Sequence, residues 1–143
     1  MKTWSSPKIS QLWLILIVSP ALLACVGFAK STATLDEQLI QAAAHGDLPI
    51  VNILLASGAM ANARNEECKT ALILAASGGH PKGLRALLER RASPHVRDRD
   101  GRTALMWAVS QGNFEIVGLL LEHGAEIDAK DGIGRTALMW AAF

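Results

Sequence analysis

Gly101-Arg102-Thr103-Ala104-Leu105-Met106-Trp107-Ala108 returns unchanged as Gly134-Arg135-Thr136-Ala137-Leu138-Met139-Trp140-Ala141, 33 residues further on. The same spacing places Thr70 ahead of Thr103, and Ala71-Leu72 ahead of Ala104-Leu105. Gly46, Gly79 and Gly112 keep it, as do Leu54-Leu55, Leu87-Leu88 and Leu120-Leu121, and again Ala59, Ala92 and Ala125. A fixed period of this kind marks an array of supersecondary units, each too small to bury its apolar face without its neighbours.

One period reads as two helices. Thr103 is placed to cap a short helix through Ala104-Leu105-Met106-Trp107-Ala108-Val109, since a hydroxyl ahead of an apolar run accepts an orphan N–H. Gly112 closes that helix, where a residue free to turn left-handed ends it cheaply. Asn113 then caps a longer one, Phe114 to His123, which Gly124 ends. In earlier periods Pro49 and Pro81 fall in the first turn of this second helix, where a missing N–H does no harm. Asp131-Gly132 and Gly134 suit a tight turn between periods. The fold expected is all-α.

Thr70-Ala-Leu-Ile-Leu-Ala75 and Thr103-Ala-Leu-Met-Trp-Ala108 resemble the Thr-Pro-Leu-His-x-Ala signature of the ankyrin repeat, with Ala in place of Pro and Ile73, Met106 or Met139 in place of His. Gly112-Asn-Phe-Glu-Ile-Val117 and Leu119-Leu-Leu-Glu-His-Gly-Ala125 are similar to the family's second helix. The resemblance covers 34–143 and implies a solenoid of stacked helix-turn-helix units with β-turn fingers; the repeat domain is taken as 30–143, after a leader at 1–29. Four units follow, at about 34–64, 65–97, 98–130 and a partial 131–143. The first lacks the Thr motif and carries Leu35-Asp36-Glu37-Gln38-Leu39-Ile40, as expected of an N-terminal cap. The fourth stops inside its first helix, leaving Met139, Trp140 and Phe143 without a second helix to cover them, which is read as a partial array, with cover by a partner or a second copy as the alternative.

The resemblance also implies where a partner would sit. Its fingers correspond here to Glu66, Glu67 and Lys69, to Arg99, Asp100 and Arg102, and to Ile133 and Arg135; adjacent first-helix positions are Ser77, Ser110 and Gln111. Taken singly, each is an ordinary solvated side chain. Trp107 and Trp140, with Met106 and Met139, are expected to fill the seam between units, because apolar residues at helical spacing pack. Arg85, Arg90, Arg91, Arg97, Arg99 and Arg102 interleave with Glu89, Asp98 and Asp100, so local ion pairing is expected, with a basic patch that reads acidic protein surfaces as the alternative.

Net charge is +1, with all 13 acidic residues after Lys30. That balance speaks against nucleic acid or a charged membrane surface as partner, since polyanion binding needs a basic excess on one face. No Cys/His spacing fits zinc. Asp98-Arg99-Asp100-Gly101 opens like a calcium loop, but Val109 stands where the closing Glu belongs. His45, His80, His95 and His123 are dispersed, and no nucleophile–base spacing or phosphate cradle appears, so neither an enzyme nor a cofactor is expected.

Residues 1–29 read as a secretory signal: Lys2 and Lys8, an apolar run from Leu12 to Ala24 broken by Pro20, then Gly27-Phe28-Ala29 for cleavage before Lys30. The style of leader is bacterial. Leu22-Leu23-Ala24-Cys25 also resembles a lipoprotein box, in which Cys25 would be lipidated; both readings stand, as does an uncleaved anchor, although the run is short for a membrane span. Each takes the chain out of the cytosol, to the periplasm, the cell envelope or the medium. A protein-binding or scaffolding role toward an envelope protein is expected, with a secreted effector that engages a host protein and a non-catalytic regulatory subunit as alternatives. Membrane contact is expected only through the leader or a lipid.

Overall fold

The computed structural model describes residues 33–143, and the leader and cleavage site expected at 1–29, with Cys25, lie outside them. Seven helices follow in order: α1 Leu35–His45, α2 Leu48–Ala56, α3 Ala71–Gly78, α4 Pro81–Glu89, α5 Ala104–Ser110, α6 Phe114–Glu122 and α7 Ala137–Ala141. There is no strand among the described residues. First helices stack on first helices, α1 on α3 on α5 on α7, while α2, α4 and α6 form a second layer. The all-α solenoid expected from the period is the fold observed.

Local chemistry explains the helix starts. Thr70 Oγ1 accepts from Ile73 N–H at 3.3 Å, Thr103 from Met106 N–H at 3.4 Å, and Asn113 Oδ1 from Ile116 N–H at 3.2 Å. Each satisfies a donor that the helix leaves orphaned. Pro81 and Pro49 occupy the first turns of α4 and α2. The first unit has its own solution, which the expectation of a missing Thr motif overlooked. Thr34 and Glu37 form a reciprocal capping box, so α1 begins earlier and runs 11 residues against 8 in α3 and 7 in α5.

The core is an aliphatic ribbon between the two helix layers. Leu39, Val51, Leu72, Ile73, Leu84, Leu87, Leu105, Met106, Ile116 and Leu120 are fully buried, and Ala43, Ala75 and Ala108 let the first helices approach closely. Burying each large side chain contributes roughly 1.5–3 kcal/mol. Neighbouring inter-helix turns are also tied. His80 lies 3.1 Å from Ala44 O by its Nε2, and a Cβ on Gly46 would meet its Nδ1 at 2.5 Å. At the far end Met139 does not fill a seam as Met106 does, but is left uncovered, as expected where no second helix follows α7 among the described residues. Met106 is 1 % exposed beneath α7, whereas Met139, with no helix stacked on α7 among the described residues, is 51 % exposed, and Phe143 is 98 % exposed.

Candidate functional site

The fingers are built on one position repeated three times: Asn65, Asp98 and Asp131. Asn65 Oδ1 accepts from the N–H groups of Glu67 and Lys69 at 3.0 and 2.9 Å. Asp98 Oδ1 does the same for Asp100 and Arg102 at 3.0 and 2.9 Å, and Asp131 Oδ1 for Ile133 and Arg135 at 3.1 and 2.8 Å. A short acceptor side chain holding its own backbone two and four residues on is how Asn and Asp fold a turn. The reversal is completed by Cys68, Gly101 and Gly134 N–H donating to the carbonyls of Asn65, Asp98 and Asp131 at 2.9, 3.0 and 3.0 Å.

Each finger is then joined to the next through backbone. Arg99 N–H donates to Glu67 O at 3.2 Å, and Gly132 N–H to Asp100 O at 2.8 Å. The approach is close: a Cβ on Gly101, whose φ is +77°, would lie 2.7 Å from Gly132 N.

The second carboxylate oxygens reach the helix behind. Trp107 Nε1 donates to Asp98 Oδ2 at 3.0 Å and Trp140 Nε1 to Asp131 Oδ2 at 3.1 Å. Arg135 Nε donates to the same Asp131 oxygen at 3.0 Å, and Arg102 Nε lies 3.5 Å from Asp98 Oδ2. The two indoles sit between cations of successive units. Lys69 Nζ is 5.2 Å from the Trp107 ring centre, and Arg102 Cζ is 4.5 Å from Trp107 and 5.7 Å from Trp140. Arg135 Cζ closes the ladder 4.0 Å from Trp140. Each such contact contributes roughly 0.5–1 kcal/mol. The tryptophans thus occupy the seam, as expected, but are half-buried and anchored by a polar edge rather than enclosed in the core.

Burial works to raise the Asp131 carboxyl, but the N–H bonds from Arg135, Ile133 and Trp140 outweigh it and lower it from 3.8 to about 2. Glu67 is lowered by its hydrogen bond from Lys69, whose Nζ lies 2.7 Å away, and by that ammonium's charge.

Glu66, Glu67, Arg99, Asp100 and Ile133 are exposed along the finger edge, while Lys69, Arg102 and Arg135 are half-buried in the ladder. Glu67, Lys69, Arg99, Asp100 and Arg102 line a depression of about 220 Å³ with Asp98. Arg99, Asp100, Arg102, Ile133 and Arg135 line a larger open one of about 750 Å³, to which Arg64 and Arg97 also contribute. Ser77 and Ser110 line neither, and their hydroxyls donate to Leu74 O and Trp107 O at 3.1 and 2.9 Å. Gln111 is exposed and also lies outside both.

Arg64, Asp98 and Asp131 were not among the residues that the sequence singled out for binding, and Arg97 entered only through the alternative of a basic patch. Their signal was the period itself: 64 and 97 are one register position, and 65, 98 and 131 another. The expected pairing among the arginines is largely absent. Of the six, only Arg102 has an ion pair among the described residues, with Asp98 and Asp100. Among the described residues there is no group of three or more His, Cys, Asp or Glu that could hold a metal ion.

A search of curated proteins returned no match. Residues 39–131 match the family described as Ankyrin repeats (3 copies). With well over half its length matched, and with the helix pairs and fingers in register, the chain belongs to the ankyrin repeat family.

Proposed function

We propose that this chain is an exported protein-binding module that holds a cell-envelope protein against its finger face. Ankyrin repeats are general protein–protein interaction modules and typically non-catalytic. The observation that carries the reading is the row of backbone-linked fingers, whose exposed edge offers Glu66, Arg99, Asp100 and Ile133 on a base held by Asp98 and Asp131. A rigid, preorganised surface loses little entropy when it binds, which favours affinity. Export rests on the leader pattern at 1–29, which supports the periplasm or envelope as the compartment of the site.

The test combines fractionation with photocrosslinking in the native host. A crosslinker at Ile133 or Gln111 should trap one discrete envelope protein, while one at Lys82 or Glu115 on the second-helix layer should not. Equal trapping from both layers would remove the finger face, and the chain in the cytosol would remove export. Recovery from the culture medium would replace the envelope reading with a secreted effector.

A further inference from the structure

Three of the arginines around the larger depression are not spent on carboxylates among the described residues. Five arginines (64, 97, 99, 102 and 135) and three aspartates (98, 100 and 131) line it. Asp98 and Asp131 face inward, with side chains 1 % and 2 % exposed, each taken up by two backbone N–H groups, an indole and its own arginine. Asp100 is engaged by Arg102. Arg64, Arg97 and Arg99 have no carboxylate partner among the described residues.

Two of these three are nevertheless held in place. Arg97 Nη1 donates to Lys130 O, and Arg99 Nη2 donates to Glu66 O at 2.6 Å. Both contacts span 33 residues, so each guanidinium is set by a neighbouring unit. A neutral carbonyl orients a guanidinium without cancelling its charge, and it uses one of five N–H donors. Arg97 precedes the finger turn and Arg99 lies within it, and both line the depression.

We propose that this depression is a docking groove for an acidic peptide segment, with Arg64, Arg97 and Arg99 receiving its carboxylates. The proposal rests on the protein-binding reading and names the chemistry of the partner. Charge distribution selects a short peptide over a nucleic acid. Outside the groove, residues 34–143 carry six basic against ten acidic side chains, a body that repels a long polyanion beyond the groove. Planar carboxylates match the guanidinium fork and give bidentate bonds.

The test measures fluorescence anisotropy of a labelled hexaglutamate peptide on the full chain, in low salt, with an oligonucleotide of equal charge beside it. The pair Arg97→Gln and Arg99→Gln should weaken peptide binding about tenfold or more, against less than about twofold for Arg85→Gln with Arg90→Gln, which removes the same charge elsewhere. Circular dichroism confirms that both variants remain helical, since neither pair makes an ion pair. Equal losses from the two pairs, no peptide binding, or an oligonucleotide bound as tightly would each overturn the groove. The crosslink from Ile133 or Gln111 separates the two readings. If it survives while hexaglutamate does not bind, the groove falls and the protein-binding module stands; if it is lost as well, both fall.

Discussion

The finger of the second unit and that of the third share a backbone path and differ in what holds it. Both turn on an acceptor side chain that bonds two N–H groups, from Asn65 in one and Asp98 in the other. Asp98 has a second oxygen that takes the Trp107 indole and faces Arg102, whereas Leu74 stands where that indole would be in the second unit. The left-handed corner is Gly101 in the third unit and Cys68, at φ +60°, in the second. The same fold is therefore held with unequal strength along the array, because an added charge-assisted bond and an unstrained corner belong only to the later finger.

The largest test of that inequality is removal of the acceptor. Asp98→Ala should cost about 3 kcal/mol in urea unfolding, since it strands two backbone donors, an indole N–H and a guanidinium, while Asn65→Ala should cost about 1–2 kcal/mol. Equal losses would show that the second oxygen contributes nothing. Next comes the corner: Gly101→Ala should cost roughly 2 kcal/mol, because a Cβ at φ +77° must also displace Gly132 N from 2.7 Å. Its mirror, Cys68→Gly, should stabilise by about 1 kcal/mol or less, as relief of left-handed strain is partly offset by backbone entropy. If Cys68→Gly destabilises instead, the thiol has a packing role that outweighs the strain.

Smaller still is Trp107→Phe, which keeps the ring between Lys69 and Arg102 but deletes the Nε1–H bond to Asp98, for about 1 kcal/mol. The last difference is silent at neutral pH. Because Asp131 is lowered from 3.8 to about 2, its ionised form favours the folded array fully above about pH 4, and that contribution is lost as pH falls through about 2. The urea midpoint should therefore drop between those values, and drop less in Asp131→Asn, which retains the Oδ1 acceptor. An unchanged acid profile in that variant would assign the loss to other carboxylates.

Much of this was legible before any coordinates. Thr70, Thr103 and Asn113 cap helices through contacts three residues away, and contacts that local leave a pattern in the chain. The 33-residue register also exposed the alanine and leucine positions that fill the core. Asp98 was harder to see. Read along the chain it was a fragment of a calcium loop or a surface partner for arginine, yet the structure buries it under Trp107, nine residues on. Thr34 was overlooked for a related reason, since its capping box sits three residues ahead of the register that the other units keep.

The sequence by itself determined the unit: its length, its two helices, its caps, and the family to which the array belongs. Only the tertiary structure decided how units grip one another and which charges remain available. Lys69 meets Trp107, Arg102 meets Trp140, Arg97 meets Lys130 and Arg99 meets Glu66, all across unit boundaries. Local bonds follow from spacing along one helix or turn, whereas the partner of a long, flexible cation depends on what the stacked neighbour places within its reach.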